Sequence, residues 1–308
     1  MKITIMGTGG VGGYYGGLLA QKGHDVTFIA RGAHLQAIQK NGLQVKSIFG
    51  DFTISPAKAT DDPVQAGPVD LVLFCPKTYD TEEAARKIKP VIGQGTSVLS
   101  LQNGVDSVER IGGVVGVDHV IAGATWLSSA VESPGVVKQV SDFRRVVLGE
   151  LDGRITPRVQ TIYEVLNDTG ITVELSEDIQ KILWTKFVFI SSASAFGSLT
   201  RLPMAAYRSV PETRALIAGL MREVVALAKA QDIVLDPDVV EKSLAFMDNA
   251  APHIKASMQL DVGAGHRTEI ESMIGVIGRK GRAVGVTTPV ADALYALLLP
   301  VDLLARGK

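Results

Sequence analysis

The chain has 308 residues, enough for two domains, with a net charge of −1 and 46% hydrophobic residues. The charge balance argues against a nucleic-acid-binding surface and against a polybasic membrane patch. A single cysteine, Cys75, excludes an intrachain disulfide, and five histidines without ligand spacing point to no metal site. No apolar run reads as a transmembrane span. The uncharged stretch 3–21 holds seven glycines and reads as a nucleotide loop rather than a signal peptide, so the chain is expected in the cytoplasm.

Residues 2–6 have the β-branched, apolar character of a buried first strand and stop abruptly at glycine. Gly7, Gly9 and Gly12 then fit the G-x-G-x-x-G spacing, in the loop formed by Gly7, Thr8, Gly9, Gly10, Val11 and Gly12. Gly7 allows the tight turn, Gly9 lets a pyrophosphate approach the backbone, and Gly12 lets the helix pack on the strand. A helix over 14–21 supplies its N-terminal N–H groups to the anion. A second strand follows over 25–29, completing the βαβ context the motif requires. An NAD-binding chain places a carboxylate at the end of that strand. Here Arg31 stands there, so the position reads as a grip on the 2′-phosphate of NADP(H), or else as a solvated surface arginine.

The next expected elements are a short helix over 33–40 and a hairpin from 43–48 and 52–55. A central strand over 69–75, a helix over 79–92 and a strand over 96–101 follow. Extended segments at 120–124, 135–140 and 145–148, a helix over 155–167 and a last strand at 171–175 complete the first half. This predicts a doubly wound, Rossmann-type α/β domain over 1–175, with extra strands at the far side of its sheet. From 176 to 308 only helical patterns remain, at 177–196, 211–231, 236–247, 252–261, 269–281 and 289–305. The second half is therefore expected to be an all-helical substrate domain, with Ser176 as a helix cap.

Candidate chemistry gathers at a few places. Lys77 follows the strand ending at Cys75, and Asn103 and Gly104 follow the next one, both at the sheet edge where such folds bind ligands. Either could equally be an ordinary surface lysine or turn. Lys186 interrupts the apolar run Ile182-Leu183-Trp184-Thr185-Lys186-Phe187-Val188-Phe189-Ile190, so its ammonium either snorkels to solvent or lines a polar cleft. In a cleft, desolvation would lower its pKa and make it a better proton donor. Positions 186, 190 and 194 share a helix face. Ser257 and Asp261 share another, and Thr268 and Glu269 read as a cap and a surface or site carboxylate.

In order and spacing these segments resemble the ketopantoate reductase (2-dehydropantoate 2-reductase) family over the full length. The similarity is carried by Gly7-Thr8-Gly9-Gly10-Val11-Gly12-Gly13, Arg31, Lys77, Leu101-Gln102-Asn103-Gly104, Trp184-x-Lys186, Ser257-Met258-x-x-Asp261, Arg267-Thr268-Glu269-Ile270 and Gly285-x-x-Thr288-Pro289. The resemblance implies NADPH-dependent reduction of a small 2-oxo acid, ketopantoate to pantoate in pantothenate biosynthesis, or a related 2-oxo acid in a paralogue. It casts Lys186 as proton donor and Glu269 as its catalytic support. Ser257 would take the substrate carboxylate, Asn103 would touch substrate and cofactor, and Arg31 and Lys77 would hold NADP(H). Biosynthetic members carry asparagines four and eight residues after the lysine. Here Ile190 and Ser194 stand there, which leaves Ser194 as a shorter-reaching substrate contact and makes the pocket more apolar. A buried polar substrate group left unpaired costs roughly 1–3 kcal/mol, enough to change preference among 2-oxo acids. Another NADP-dependent hydroxyacid dehydrogenase of the superfamily and a non-catalytic NADPH-binding regulator are the alternative readings. The apolar helical half also offers surface for a homodimer.

Overall fold

Strand β1 (Lys2–Met6) is buried at every position after Lys2, as its sequence requires. In a computed structural model describing residues 1–307, the chain continues through α1 (Gly10–Gln21), β2 (Asp25–Ile29), α2 (Gly32–Asn41), β3 (Leu43–Ser47), β4 (Phe52–Ile54), β5 (Lys58–Thr60) and β6 (Leu71–Phe74). Then come α3 (Thr81–Ile88), β7 (Ser97–Ser100), α4 (Ser107–Val115), β8 (Val120–Trp126), β9 (Ser129–Ser133), β10 (Val136–Gln139), β11 (Arg145–Gly149), α5 (Pro157–Asn167) and β12 (Thr172–Leu175). Eight strands form one sheet in the order β12-β11-β8-β7-β6-β1-β2-β5. All neighbours in it are parallel except β11 and β8.

The period of two decides which face each strand residue fills. Leu71 and Leu73 of β6 join the core beneath α1, and Val72 and Phe74 join the core beneath α3 and α4. Strand order reverses at the β1–β6 pair, with β2 beyond one and β7 beyond the other. In open α/β sheets that reversal is where ligands bind, at the C-terminal strand ends.

Of the expected extra strands, β8, β11 and β12 extend this sheet at its far side, whereas the segment at 135–140 does not join it. Strands β3, β4, β9 and β10 form a separate sheet, ordered β4-β3-β10-β9. The anticipated hairpin is its β3–β4 pair. Helix α1 lies between the two sheets, and its glycines fit both. A Cβ at Gly16 would press on Ile5 and Phe28 of the main sheet, and one at Gly13 on Val137 of the small sheet. Strands β5 and β9 and helix α4 had no counterpart in the sequence reading. Each is short, and β5 and β9 are held by pairing that local pattern does not encode.

The second half contains α6 (Ile179–Thr200), α7 (Met204–Arg208), α8 (Pro211–Lys229), α9 (Val239–Asn249), α10 (Ser257–Gly263), α11 (Val276–Val284) and α12 (Pro289–Ala305), around one apolar core. Among its described residues there is no strand. Helix α6 is long and apolar enough to cross a membrane by length and composition, whereas no apolar run is expected to read as a span from the sequence. Most of that stretch is buried inside this protein, and a helix apolar on most faces is what a core helix looks like.

Two compact units result: Met1–Gln102 with Ser107–Ile179, and Asn103–Asp106 with the chain from Gln180 onward. The division thus falls after Ile179 rather than at 175/176, and the loop after β7 goes with the helical unit. Ser176 accepts a hydrogen bond from the Asp178 N–H at 3.1 Å, closing the turn that precedes α6.

Candidate functional site

In the first unit the chain turns from β1 into α1 at Gly7, where φ is +91° and a Cβ would sit 2.8 Å from Pro76 N, which leaves no room for a side chain. A Cβ at Gly12 would sit 2.2 Å from the Gly7 carbonyl oxygen. At Gly9, the residue before α1, a Cβ would meet nothing within 4 Å, and no side chain caps the helix. The uncapped first turn and the open side of Gly9 fit a dinucleotide pyrophosphate, which would bring its own acceptors to those N–H groups.

Two side chains, one inside the motif and one beyond it, stiffen this loop. Thr8 donates its hydroxyl to Ile29 O at 2.9 Å. His34 accepts from Gly135 N–H at Nδ1 (2.9 Å), so its Nε2 carries the proton and donates to Thr8 O at 2.8 Å. Burial pushes the His34 pKa below the ordinary histidine value, which keeps the ring in the neutral form this bracing needs.

Arg31 stands at the end of β2 as expected, but its guanidinium is not waiting free. It pairs with Asp80 at 2.8 Å. Lys77 begins the turn that leads into α3 and is partly buried. Cys75 packs its Cβ against Gly12, and burial pushes its thiol pKa up, so it is an inert filler.

In the second unit, Lys186 neither snorkels nor faces open solvent. Its Nζ donates to Asn103 Oδ1 at 2.8 Å, joining residues 83 apart in sequence. Burial lowers its pKa to about 8, and the nearby Glu269 carboxylate opposes the shift. The Asn103 loop is fixed by Gly104, at φ +100° and with its Cβ position 3.2 Å from Ser272 O. Ser272 lies in a π-helical turn, Glu271–Gly275, that leads into α11. Such turns widen a helix locally and often occur at functional sites.

Glu269 is buried at 6% exposure. The preceding Thr268 does not cap a helix through its side chain. Its N–H and hydroxyl both donate to Asp302 Oδ1, at 2.7 and 2.8 Å. Asp302 is fully buried on α12, and Arg306 pairs with its other oxygen. Ser194 is buried on α6, roughly 12 Å along the axis from Lys186. Ile190 between them is partly buried, and Ser257 is exposed at the start of α10.

Lys186, Asn103 and Glu269 therefore come together, with Ser194 two helical turns further along α6. Sequence reasoning missed Asp302, His34 and Asp80. Asp302 carried the same signal as Lys186, a charge interrupting an apolar run of a helix. His34 and Asp80 act through partners 26 and 49 residues away and leave no local trace.

No cluster of His, Cys, Asp or Glu able to hold a metal occurs among the described residues. The fold is of the nucleotide-binding α/β class, with an added helical unit that carries a desolvated lysine. Family models of ketopantoate reductase match residues 3–153 and, for the C-terminal part, 178–302. The chain belongs to the ketopantoate reductase family and is an oxidoreductase acting on CH-OH groups. It is 30% identical to a 2-dehydropantoate 2-reductase of Mesorhizobium japonicum, over 97% of each chain. The crystal structure of a 2-dehydropantoate 2-reductase from Geobacter metallireducens matches with a TM-score of 0.91 at 32% identity, covering 97% of this chain and 99% of that one. A ternary structure of D-mandelate dehydrogenase with NADH and anilino(oxo)acetate matches with a TM-score of 0.92 at 25% identity, over 99% of each chain.

Proposed function

We propose that this protein reduces a 2-oxo acid to the corresponding 2-hydroxy acid with NADPH, and that 2-dehydropantoate is the first substrate to test. The observation that carries the reading is Lys186, desolvated inside an apolar helix with its ammonium directed at Asn103. A structural lysine has no need of that placement, and a proton donor does.

When bound, the nicotinamide supplies hydride to the ketone carbon. The chain's own residues handle the charge and the proton. The Lys186 ammonium stabilises negative charge growing on the carbonyl oxygen and delivers the proton that completes the alcohol. Asn103 holds the ammonium in position through its side-chain oxygen. Glu269 keeps the lysine protonated against the penalty of burial. Ser257 and Ser194 are the substrate contacts implied by the family resemblance, and the glycine loop, Arg31 and Lys77 are its cofactor contacts.

A second reading of the substrate has its own support. Ile190, on the lysine's helix face, cannot hydrogen-bond a substrate hydroxyl, and D-mandelate dehydrogenase shares the architecture. Both favour a 2-oxo acid with a bulkier apolar side chain. Turnover of a panel of 2-oxo acids, polar, branched and aromatic, followed by NADPH absorbance, tests both readings. Preference for ketopantoate supports the first, and preference for an apolar 2-oxo acid supports the second. NADPH binding without turnover of any member would point to a non-catalytic regulator.

A further inference from the structure

Beside the glycine loop, a small recess of the first unit reaches from Gly7 and Ile29 to Arg31 and is closed by the start of α3. It holds two cations, Arg31 and Lys87, and three carboxylates, Asp61, Asp80 and Glu83. Each cation is already paired. Arg31 meets Asp80 at 2.8 Å, and Lys87 meets Glu83 at 2.8 Å across one helical turn. Asp61 adds a third negative charge at the same recess. A phosphate arriving here would have to take Arg31 from a carboxylate and then remain near that carboxylate.

We propose that Asp80 sets how strongly this chain distinguishes NADPH from NADH, by competing with the adenosine 2′-phosphate for Arg31. The proposal rests on the cofactor reading above. NAD-binding folds usually place an acceptor for the ribose hydroxyls at the end of the second strand. In this chain that position is an arginine, and the carboxylate comes from the loop after β6, 49 residues on, to the same place. The pair is a surface one, with the arginine side chain 62% and the aspartate 22% exposed, so it is weak enough for a ligand to open. The aspartate cannot leave the recess, because Asp80 is the last residue of the turn that leads into α3. It therefore favours a ribose hydroxyl and disfavours a phosphate. The chain should accept both cofactors, with a narrower margin for NADPH than Arg31 alone would give.

The test is direct titration of the full-length protein with NADPH and with NADH, read by nucleotide fluorescence, in the wild type, Asp80→Asn and Arg31→Ala. Asp80→Asn should tighten NADPH by about three- to tenfold without tightening NADH, and the gain should shrink at high salt. An unchanged NADPH-to-NADH ratio, or an equal change for both, would overturn the proposal, since a merely structural role moves both alike. Asp80→Ala should shift the ratio in the same direction, and a shift the other way would also overturn it. Arg31→Ala separates the two layers of the argument. Loss confined to NADPH supports the phosphate reading itself, whereas equal loss of both cofactors would remove that reading and the role of Asp80 with it.

Discussion

An ammonium inside an apolar helix persists only where something replaces the water it gives up. For Lys186 the Asn103 amide oxygen and the nearby Glu269 carboxylate contribute to that replacement, and burial still wins, leaving the group at about 8. The donor is the protonated form, so the rate of 2-oxo acid reduction should hold below pH 8 and fall as pH rises through it, which a pH profile of kcat checks. The same depression means that the folded state releases this proton earlier than the unfolded chain does. Its contribution to stability should therefore rise between about pH 8 and the ordinary lysine value of 10.5. Lys186→Ala should lower kcat by about 10²- to 10⁴-fold while nucleotide affinity stays nearly constant. Near-normal turnover would remove the lysine from the mechanism. Asp302 works one step back, holding the buried Thr268 N–H and hydroxyl beside Glu269. Asp302→Ala orphans both groups and should cost about 1–3 kcal/mol in urea unfolding, the usual penalty for buried unpaired donors.

At the scale of elements, α1 shows how one glycine pattern serves two purposes. Gly12 and Gly16 let it lie on β1, and Gly13 and Gly17 let the small sheet close over its other side. Gly9 has no packing role at all. The two kinds of glycine should separate by experiment. Gly12→Ala forces a methyl into the Gly7 carbonyl oxygen and should destabilise the fold by about 1–3 kcal/mol. Gly9→Ala has open space and should leave the thermal midpoint unchanged, yet weaken NADPH by at least about tenfold, because the backbone can no longer approach the pyrophosphate. Thermal melts and nucleotide titrations of the two variants distinguish these outcomes. The π-helical turn at Glu271–Gly275 is a second element with a local purpose, since Gly104 packs against its Ser272 carbonyl and so fixes the Asn103 loop.

At the scale of the whole molecule, the helical core is separate from the two cores that flank the sheet. The nucleotide loop belongs to the first unit and the lysine to the second. A ligand that binds only the native first unit stabilises it by mass action. NADPH at about 100 times its Kd should therefore raise the Tm of that unit by about 5–11 °C, while a 2-oxo acid alone should not. Calorimetric scans with each ligand check this.

Much of this was legible in the chain itself. The βαβ opening, the arginine at the end of β2, the helical second half and the lysine within an apolar run are local patterns, because periodicity and residue type record which face of an element is buried. The second sheet, the partners of Arg31 and Thr268, and the bracing of the glycine loop by His34 were settled only in three dimensions. Each joins residues dozens of positions apart, and β5 and β9 are held by neighbours rather than by their own propensity. Sequence alone determined what kinds of groups this protein carries and on which elements. Tertiary structure decided which charges meet and which of them are desolvated, since both depend on the distances and burial that folding creates.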